Sequence, residues 1–356
     1  MITMTSKRFE EHEKDMLKSI LSRSLTSAAP SKETMAKAHE NSGSNSENPI
    51  IKLKYTLLEK YKDQKLEDIE GSEVIENSSG EALKISTTEK IDFTLDNKYF
   101  KDELFTDLKL IPKIGPATER ALKKEGYEDI PSLLEHEKYS EFAKIAIEKL
   151  ESDSHQEKFN LIRKNCKNMR KMIKCAGDLD YDKFRFMDIE TLGLSNVPLI
   201  LIGIAEMDKK GKNITSTQYL VREKVEEAAV LEGYLSHIQE DSTLVSFNGA
   251  SFDIPFIKNR CNYYQMNHDV QPFHYDLLYY ARNFWKDRLP NCKLTTIEKY
   301  IFNINRVDDV PGAHIPNFYD TYLKENNIGP LIPIIEHNRL DIVSLAKFLM
   351  KMHQKS

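Results

Sequence analysis

The stretch 184–191, Phe-Arg-Phe-Met-Asp-Ile-Glu-Thr, constrains this chain more than any other. Its aromatic and β-branched residues read as a strand. Residues two apart on a strand share a face, so Asp188 and Glu190 point the same way between large apolar neighbours. Two carboxylates held together in a sheet repel each other unless a cation neutralises them. A solvated pair on an edge strand is the alternative, and it fits poorly with Phe186, Met187 and Ile189 around them. The apolar run 197–205 and the alternating segment 214–221 complete a three-strand meander by pattern.

Helical spacing resumes at 226–239, and a short strand at 243–247 ends in Asn248-Gly249. Ser251 is placed to cap the next helix, with Asp253 in its first turn, where the helix dipole favours a carboxylate. Capping alone would account for Asp253. The string F-N-G-x-S-F-D, however, puts Asn248 and Asp253 at the carboxyl end of a strand, where open α/β sheets place their ligands. A last helix, about 331–352, carries His337 and Asp341 on one face. Asp276 either caps the helix over 277–285 or supports the same cluster. Oxygen ligands without thiolates select hard ions such as Mg²⁺ or Mn²⁺.

Upstream, residues 107–135 form a turn with Gly115 and Pro116 leading into a helix, with Ala117, Ala121 and Leu122 at packing spacing and Gly126 as its C-cap. The form I-G-P-A-T resembles the helix-hairpin-helix motif, whose turn offers backbone N–H groups to a phosphate oxygen. That resemblance implies a close approach at Gly115, with charge added by Lys113 or Lys123. A two-helix packing unit without ligand is the alternative. The following segment, 158–174, holds seven cations and no acid. As one helix it gathers Arg163, Lys167, Arg170, Lys171 and Lys174 into a basic stripe suited to phosphate. Arg282, Trp285 and Arg288 mix cations with an aromatic ring, a composition suited to gripping a single strand; Trp285 as a core residue is the alternative.

Taken together, MDIETLGL, SFNGASFDIPFIKNRC, YDLLYYARNFWKDRLPNCKLTTIE, DDVPGAHIP and HNRLDIVSLA resemble the YprB-like, RNase H-like branch of the DEDD exonuclease superfamily. The likeness covers about 180–350 and implies two-metal hydrolysis of phosphodiester bonds with 3′ to 5′ polarity. By similarity, Asp188 would bridge two divalent cations. Glu190 and Asp341 would complete one site, and Asp253 would hold the other mainly through water. His337 would be general base or water-positioning group, although the three residues between it and Asp341 are a spacing that in the superfamily usually accompanies Tyr.

The resulting expectation is an α/β fold: an RNase H-like mixed five-stranded sheet flanked by helices at 179–356. Ahead of it come a mainly helical, nucleic-acid-contacting region at 101–178, a small β-containing element at 50–100, and a disordered tail at 1–49. In that tail Phe9, Met16, Leu17, Ile20 and Leu21 outline a short helix. At 356 residues, more than one folded unit is expected. A net charge of −5 excludes a grip on nucleic acid by overall positive charge but leaves room for local basic surfaces. Four cysteines without a C-x-x-C pair, no apolar run long enough for a bilayer and no signal-like start predict a reduced, cytoplasmic protein. The expected partner is nucleic acid, DNA or RNA with single-stranded ends. A structure-selective endonuclease and a non-catalytic nucleic-acid-binding protein are the other readings.

Overall fold

A computed structural model describes residues 49–98, 100–267, 272–306 and 309–355. The expected disordered tail at 1–49, with its short helix, lies outside the described residues except for Pro49, which opens a helix instead, and Asp308 lies outside them too. The chain divides into Met1–Tyr55 and Thr56–Ser356. In the first, only the opening of helix α1 (Pro49–Lys60) is described; all that follows concerns the second.

Strands β1 (Ser72–Asn77) and β2 (Gly80–Lys90) form an antiparallel hairpin. Gly80 closes its turn at φ 125°, a conformation that glycine adopts without a steric penalty. Five short helices follow: α2 (Phe100–Phe105), α3 (Pro116–Lys124), α4 (Ser140–Glu151), α5 (His155–Asn165) and α6 (Met169–Lys174). The meander appears as β3 (Phe184–Thr191), β4 (Leu199–Met207) and β5 (Asn213–Leu220). Next come α7 (Glu227–Leu235), β6 (Thr243–Ser246), α8 (Asp253–Tyr263), β7 (Phe273–Asp276) and α9 (Leu277–Trp285). The chain then runs through α10 (Leu294–Ile297), a π-helical turn (Glu298–Phe302), α11 (Ile315–Glu325) and α12 (Ile332–Gln354).

The five strands expected at 179–356 are β3 to β7, and the upstream hairpin extends them to a seven-stranded sheet in the order β1-β2-β5-β4-β3-β6-β7. β2 pairs antiparallel with β5 from Leu83–Leu220 to Lys90–Asn213, and the Asn77 amide donates to Ala229 O of α7 at 2.8 Å. Only β3–β6 and β6–β7 are parallel.

Alternation along β3 divides the core. Met187 and Ile189 pack with α7 and α8 on one face, whereas Phe184 and Phe186 face α12 on the other. The helical segment 101–178 shares that second core: Leu110, Ile130, Phe159 and Ile173 join Phe184, Tyr275 and Leu349 in one cluster. Asp188 and Glu190 have the parity of Phe184 and Phe186, so they lie on the α12 side, near the end of β3.

Two local expectations fail for identifiable reasons. The single basic helix at 158–174 is two helices, because Asn168 caps α6 by accepting from Arg170 N and Lys171 N, and Lys167 turns left-handed at φ 50°. In α3 only Leu122 is buried, while Ala117 and Ala121 are exposed. Before α3 stands a three-residue 3-10 turn, Leu108–Leu110, and the connection at 111–115 passes through Lys113 at φ 71°.

Candidate active site

The site is assembled from one strand, two helix faces and one loop. Across the sheet, Asp188 of β3 is in register with Gly203 of β4, and Gly203 with Gln218 of β5. A side chain at Gly203 is impossible without movement, because its Cβ would lie 2.0 Å from the Asn338 amide oxygen. The bare backbone lets Asn338 of α12 lie over β4 and reach Asp188. Its amide nitrogen donates to Asp188 Oδ2 at 3.0 Å and to Asp188 O at 3.1 Å. Gln218 in turn donates to Asn338 Oδ1 at 3.0 Å and to Ile335 O at 2.8 Å. Buried Asn338 thereby locks α12 to β3, β4 and β5 at the height of Asp188.

Asp253 sits in the first turn of α8, as expected, at its first position, but the N-cap is Phe252 and not Ser251. The residue before it, Phe252, makes no side-chain cap. Buried Asp253 accepts from Ile189 N at 3.2 Å, which ties it to β3 between Asp188 and Glu190. The loop leading into it is held by Asp276, whose carboxylate accepts from Asn248 N at 2.8 Å, Ala250 N at 3.1 Å and Leu278 N at 3.0 Å. Asp276 therefore caps α9 and also holds the turn that delivers Asp253. Asn248, exposed and at φ 71°, begins that turn.

His337 and Asp341 project from α12 one turn apart. His337 Nδ1 meets Asp309 Oδ1 at 2.6 Å, while its Nε2 lies 3.9 Å from Glu190 Oε1 and 3.7 Å from Asp341 Oδ2. The Arg306 guanidinium pairs with Asp341 Oδ1 and, through two hydrogen bonds of 2.7 Å, with Glu298.

The electrostatics of the cluster are strained. Burial, and then the charges of Asp341, Glu190 and Asp253, hold the Asp188 carboxyl well above its ordinary range. Burial and the neighbouring carboxylates push Glu190 up to about 8 and Asp253 to about 7. Asp341 is raised by burial despite the opposing charges of His337 and Arg306. For His337, burial works against the charged ring. The bond to Asp309 and the charges of Asp341 and Glu190 outweigh it, and the imidazole rises to about 9. Carboxyl groups this close and this dry attract a proton or a metal cation. As an all-oxygen donor set beside one imidazole, they suit a hard divalent ion. Among the described residues, no three His, Cys, Asp or Glu side chains already close around a single point.

Sequence reasoning did not find Asn338, Asp309, Arg306 or Glu298 as members of this site. Asn338 stands beside His337 in HNRLD, and Asp309 within DDVPGAHIP, so both lay inside strings that had been noticed. Glu298 closes the string YDLLYYARNFWKDRLPNCKLTTIE, whereas Arg306 carries no local signal.

The expected nucleic-acid contacts scatter. Trp285 is 1% exposed, packs edge-on against Phe348 at 5.3 Å and belongs to the core, so it offers no stacking surface. Lys171 is buried and pairs with Asp107 at 2.7 Å, and Lys174 pairs with Glu103 at 3.4 Å. Arg163, Lys167, Arg170, Arg282 and Arg288 are exposed, with Arg170 over the Phe284 ring of α9. Lys113 lies over Phe142, and Gly115, the N-cap of α3, has open space where a Cβ would stand. Among the described residues no helix is long and apolar enough to cross a membrane.

Residues 185–353 match the family described as the RNase_H superfamily. The chain is also 31% identical over 175 residues to the uncharacterized protein YprB of Bacillus subtilis (strain 168). That alignment covers 48% of this chain and 42% of YprB, so the chain spans less than half the length of this relative.

Proposed function

We propose that the protein, whose residues 185–353 match the RNase_H superfamily, is a metal-dependent 3′ to 5′ exonuclease hydrolysing single-stranded nucleic acid. The observation that carries this reading is the convergence of Asp188, Glu190, Asp253 and Asp341 at the ends of β3, α8 and α12, each raised in pKa by burial, with neighbouring carboxylates adding to the rise at Asp188, Glu190 and Asp253. Such an arrangement is costly for a fold and useful to a cation site.

These four carboxylates would hold two divalent cations, Mg²⁺ or Mn²⁺. Bound there, the ions supply an activated water and stabilisation of the leaving oxygen. The rest falls to the protein. Asn338 fixes the rotamer of Asp188, the Ile189 N–H orients Asp253, and Asp276 holds the loop from Asn248 onward so that Asp253 enters from the strand end. His337, with Nε2 3.9 Å from Glu190 and 3.7 Å from Asp341, would act as general base or water-positioning group. Positive surface for the strand comes from Arg163, Lys167, Arg170, Arg282 and Arg288. Lys113 and Gly115 offer a separate phosphate contact at the start of α3.

End-labelled DNA and RNA strands incubated with Mg²⁺ or Mn²⁺ test the reading. Stepwise release of mononucleotides from the 3′ end by the wild type, absent in Asp188→Asn, is expected. Cleavage of a circular single strand would instead identify an endonuclease, and equal digestion by both proteins would remove the catalytic assignment.

A further inference from the structure

We propose that Arg306, gripped by Glu298, is the positioning residue of this site, fixing one oxygen of Asp341 so that the other remains turned toward the cation position. The inference rests on the carboxylates being cation ligands.

Arg306 reaches the site from outside the elements that supply the carboxylates. Its anchor is Glu298, 1% exposed, at the first residue of the π-helical turn that follows α10. Such turns widen a helix by one residue and re-aim its side chains. Here the turn ends at Asn303 in the left-handed conformation, and Ile304 N returns to Glu298 O at 3.0 Å. Glu298 and Arg306 are thus brought together by backbone geometry as well as by charge. Two parallel hydrogen bonds of 2.7 Å use Arg306 Nε and Nη2, the planar fork that only arginine offers a carboxylate.

A guanidinium at a cation site has two possible relations to the metal: it competes for the carboxylate, or it orients it. Two features favour orientation. The Arg306 side chain is 6% exposed, and withdrawing it would strand the Glu298 carboxylate without its counter-charge. The contact also takes only Oδ1 of Asp341; Oδ2 faces His337 Nε2 at 3.7 Å, on the side toward Glu190. The same guanidinium lies 3.8 Å from Asp309, the partner of His337. One buried cation is therefore placed against both functional residues of α12 at once.

Manganese binding to the full chain, measured by calorimetry without nucleic acid, tests this. The proteins are wild type, Asp341→Asn, Arg306→Gln, Arg306→Lys, Glu298→Gln and the double variant Glu298→Gln/Arg306→Gln, which removes both charges and guards against misfolding of the single changes. Thermal melts accompany each. Arg306→Gln should weaken Mn²⁺ binding by roughly 10-fold or more, the usual consequence of losing a partner that orients a ligand. Arg306→Lys, which keeps charge but not the fork, should restore only part of it. The double variant should bind no more weakly than Arg306→Gln, because both residues act through Asp341. If Asp341→Asn is defective while the folded Arg306 variants bind as tightly as the wild type or more tightly, the positioning role is wrong and the cation site stands. If the wild type binds no Mn²⁺, the cation site and this inference fall together.

Discussion

Two buried acidic neighbourhoods lie on opposite faces of the sheet and are treated in opposite ways. Glu227, at the start of α7 and 1% exposed, receives everything a carboxylate can accept. Leu199 N donates at 2.9 Å, Arg260 at 2.7 and 2.6 Å and the Tyr264 hydroxyl at 2.9 Å. The Asp188 cluster gathers four carboxylates around Arg306 and His337 and leaves them repelling one another. Burial alone does not separate structure from function in this chain. What separates them is whether the charges are answered inside the protein.

That contrast can be broken from either side. Asp188→Asn should lower strand degradation by at least ~10³-fold, about 4 kcal/mol, while leaving the melting temperature unchanged or higher, because it removes a buried repulsion. Single-turnover assays and thermal melts read the two parts. Arg260→Met should do the reverse, destabilising the fold by about 3 kcal/mol by stranding Glu227 while the protein that remains folded keeps its activity. Denaturant unfolding reads the first and turnover per folded molecule the second. Gly203→Ala joins the two regimes: displacing Asn338 should cost about 1–3 kcal/mol of stability and a further loss of activity, both measurable on one preparation.

A smaller effect is expected from acid. His353, bonded to Asn97 near Lys174, Asp96 and Asp178, and His155, bonded to Tyr275 near Asp178 and Lys158, are both lowered by burial to about 4. Folded values below the free value of 6.5 mean that their contribution is complete above pH 6.5 and lost as pH falls from there toward 4. The raised carboxyls of the Asp188 cluster act in the opposite sense over that window, so the histidine part is read as the difference in unfolding free energy between wild type and His353→Gln, which should shrink as pH falls from 6.5 toward 4. Arg170→Ala should be the mildest change, weakening nucleic-acid binding by under ~1 kcal/mol and reducing its salt dependence by about one counterion.

The strands and the carboxylates were legible because both rest on short-range periodicity: the i, i+2 parity of Asp188 and Glu190 and the one-turn spacing of His337 and Asp341 are written locally. The small β element at 50–100 was legible too, but the pairing of its second strand with β5 spans more than a hundred residues and leaves no local mark. Arg306 escaped for the same reason, being brought to Asp341 by a π-turn. Trp285 and the basic stripe were misread where composition stood in for geometry. A buried ring on a helix has the same cationic neighbours in sequence as an exposed one, and a single Asn168 cap turns Lys171 inward.

The β1–β2 hairpin has a practical consequence. With β2 in place, β5 is an interior strand, and the sheet ends instead at the short, charged β1. A protein trimmed to residues 179–356 would keep every carboxylate yet bare the backbone N–H and C=O groups of β5 along eight residues. A naked strand of that length is a template for pairing with another molecule of the same kind. Such a fragment should gather into oligomers or precipitate, and restoring residues 66–90 alone should not rescue it fully, since the core shared with the helices at 101–178 would still be open to water.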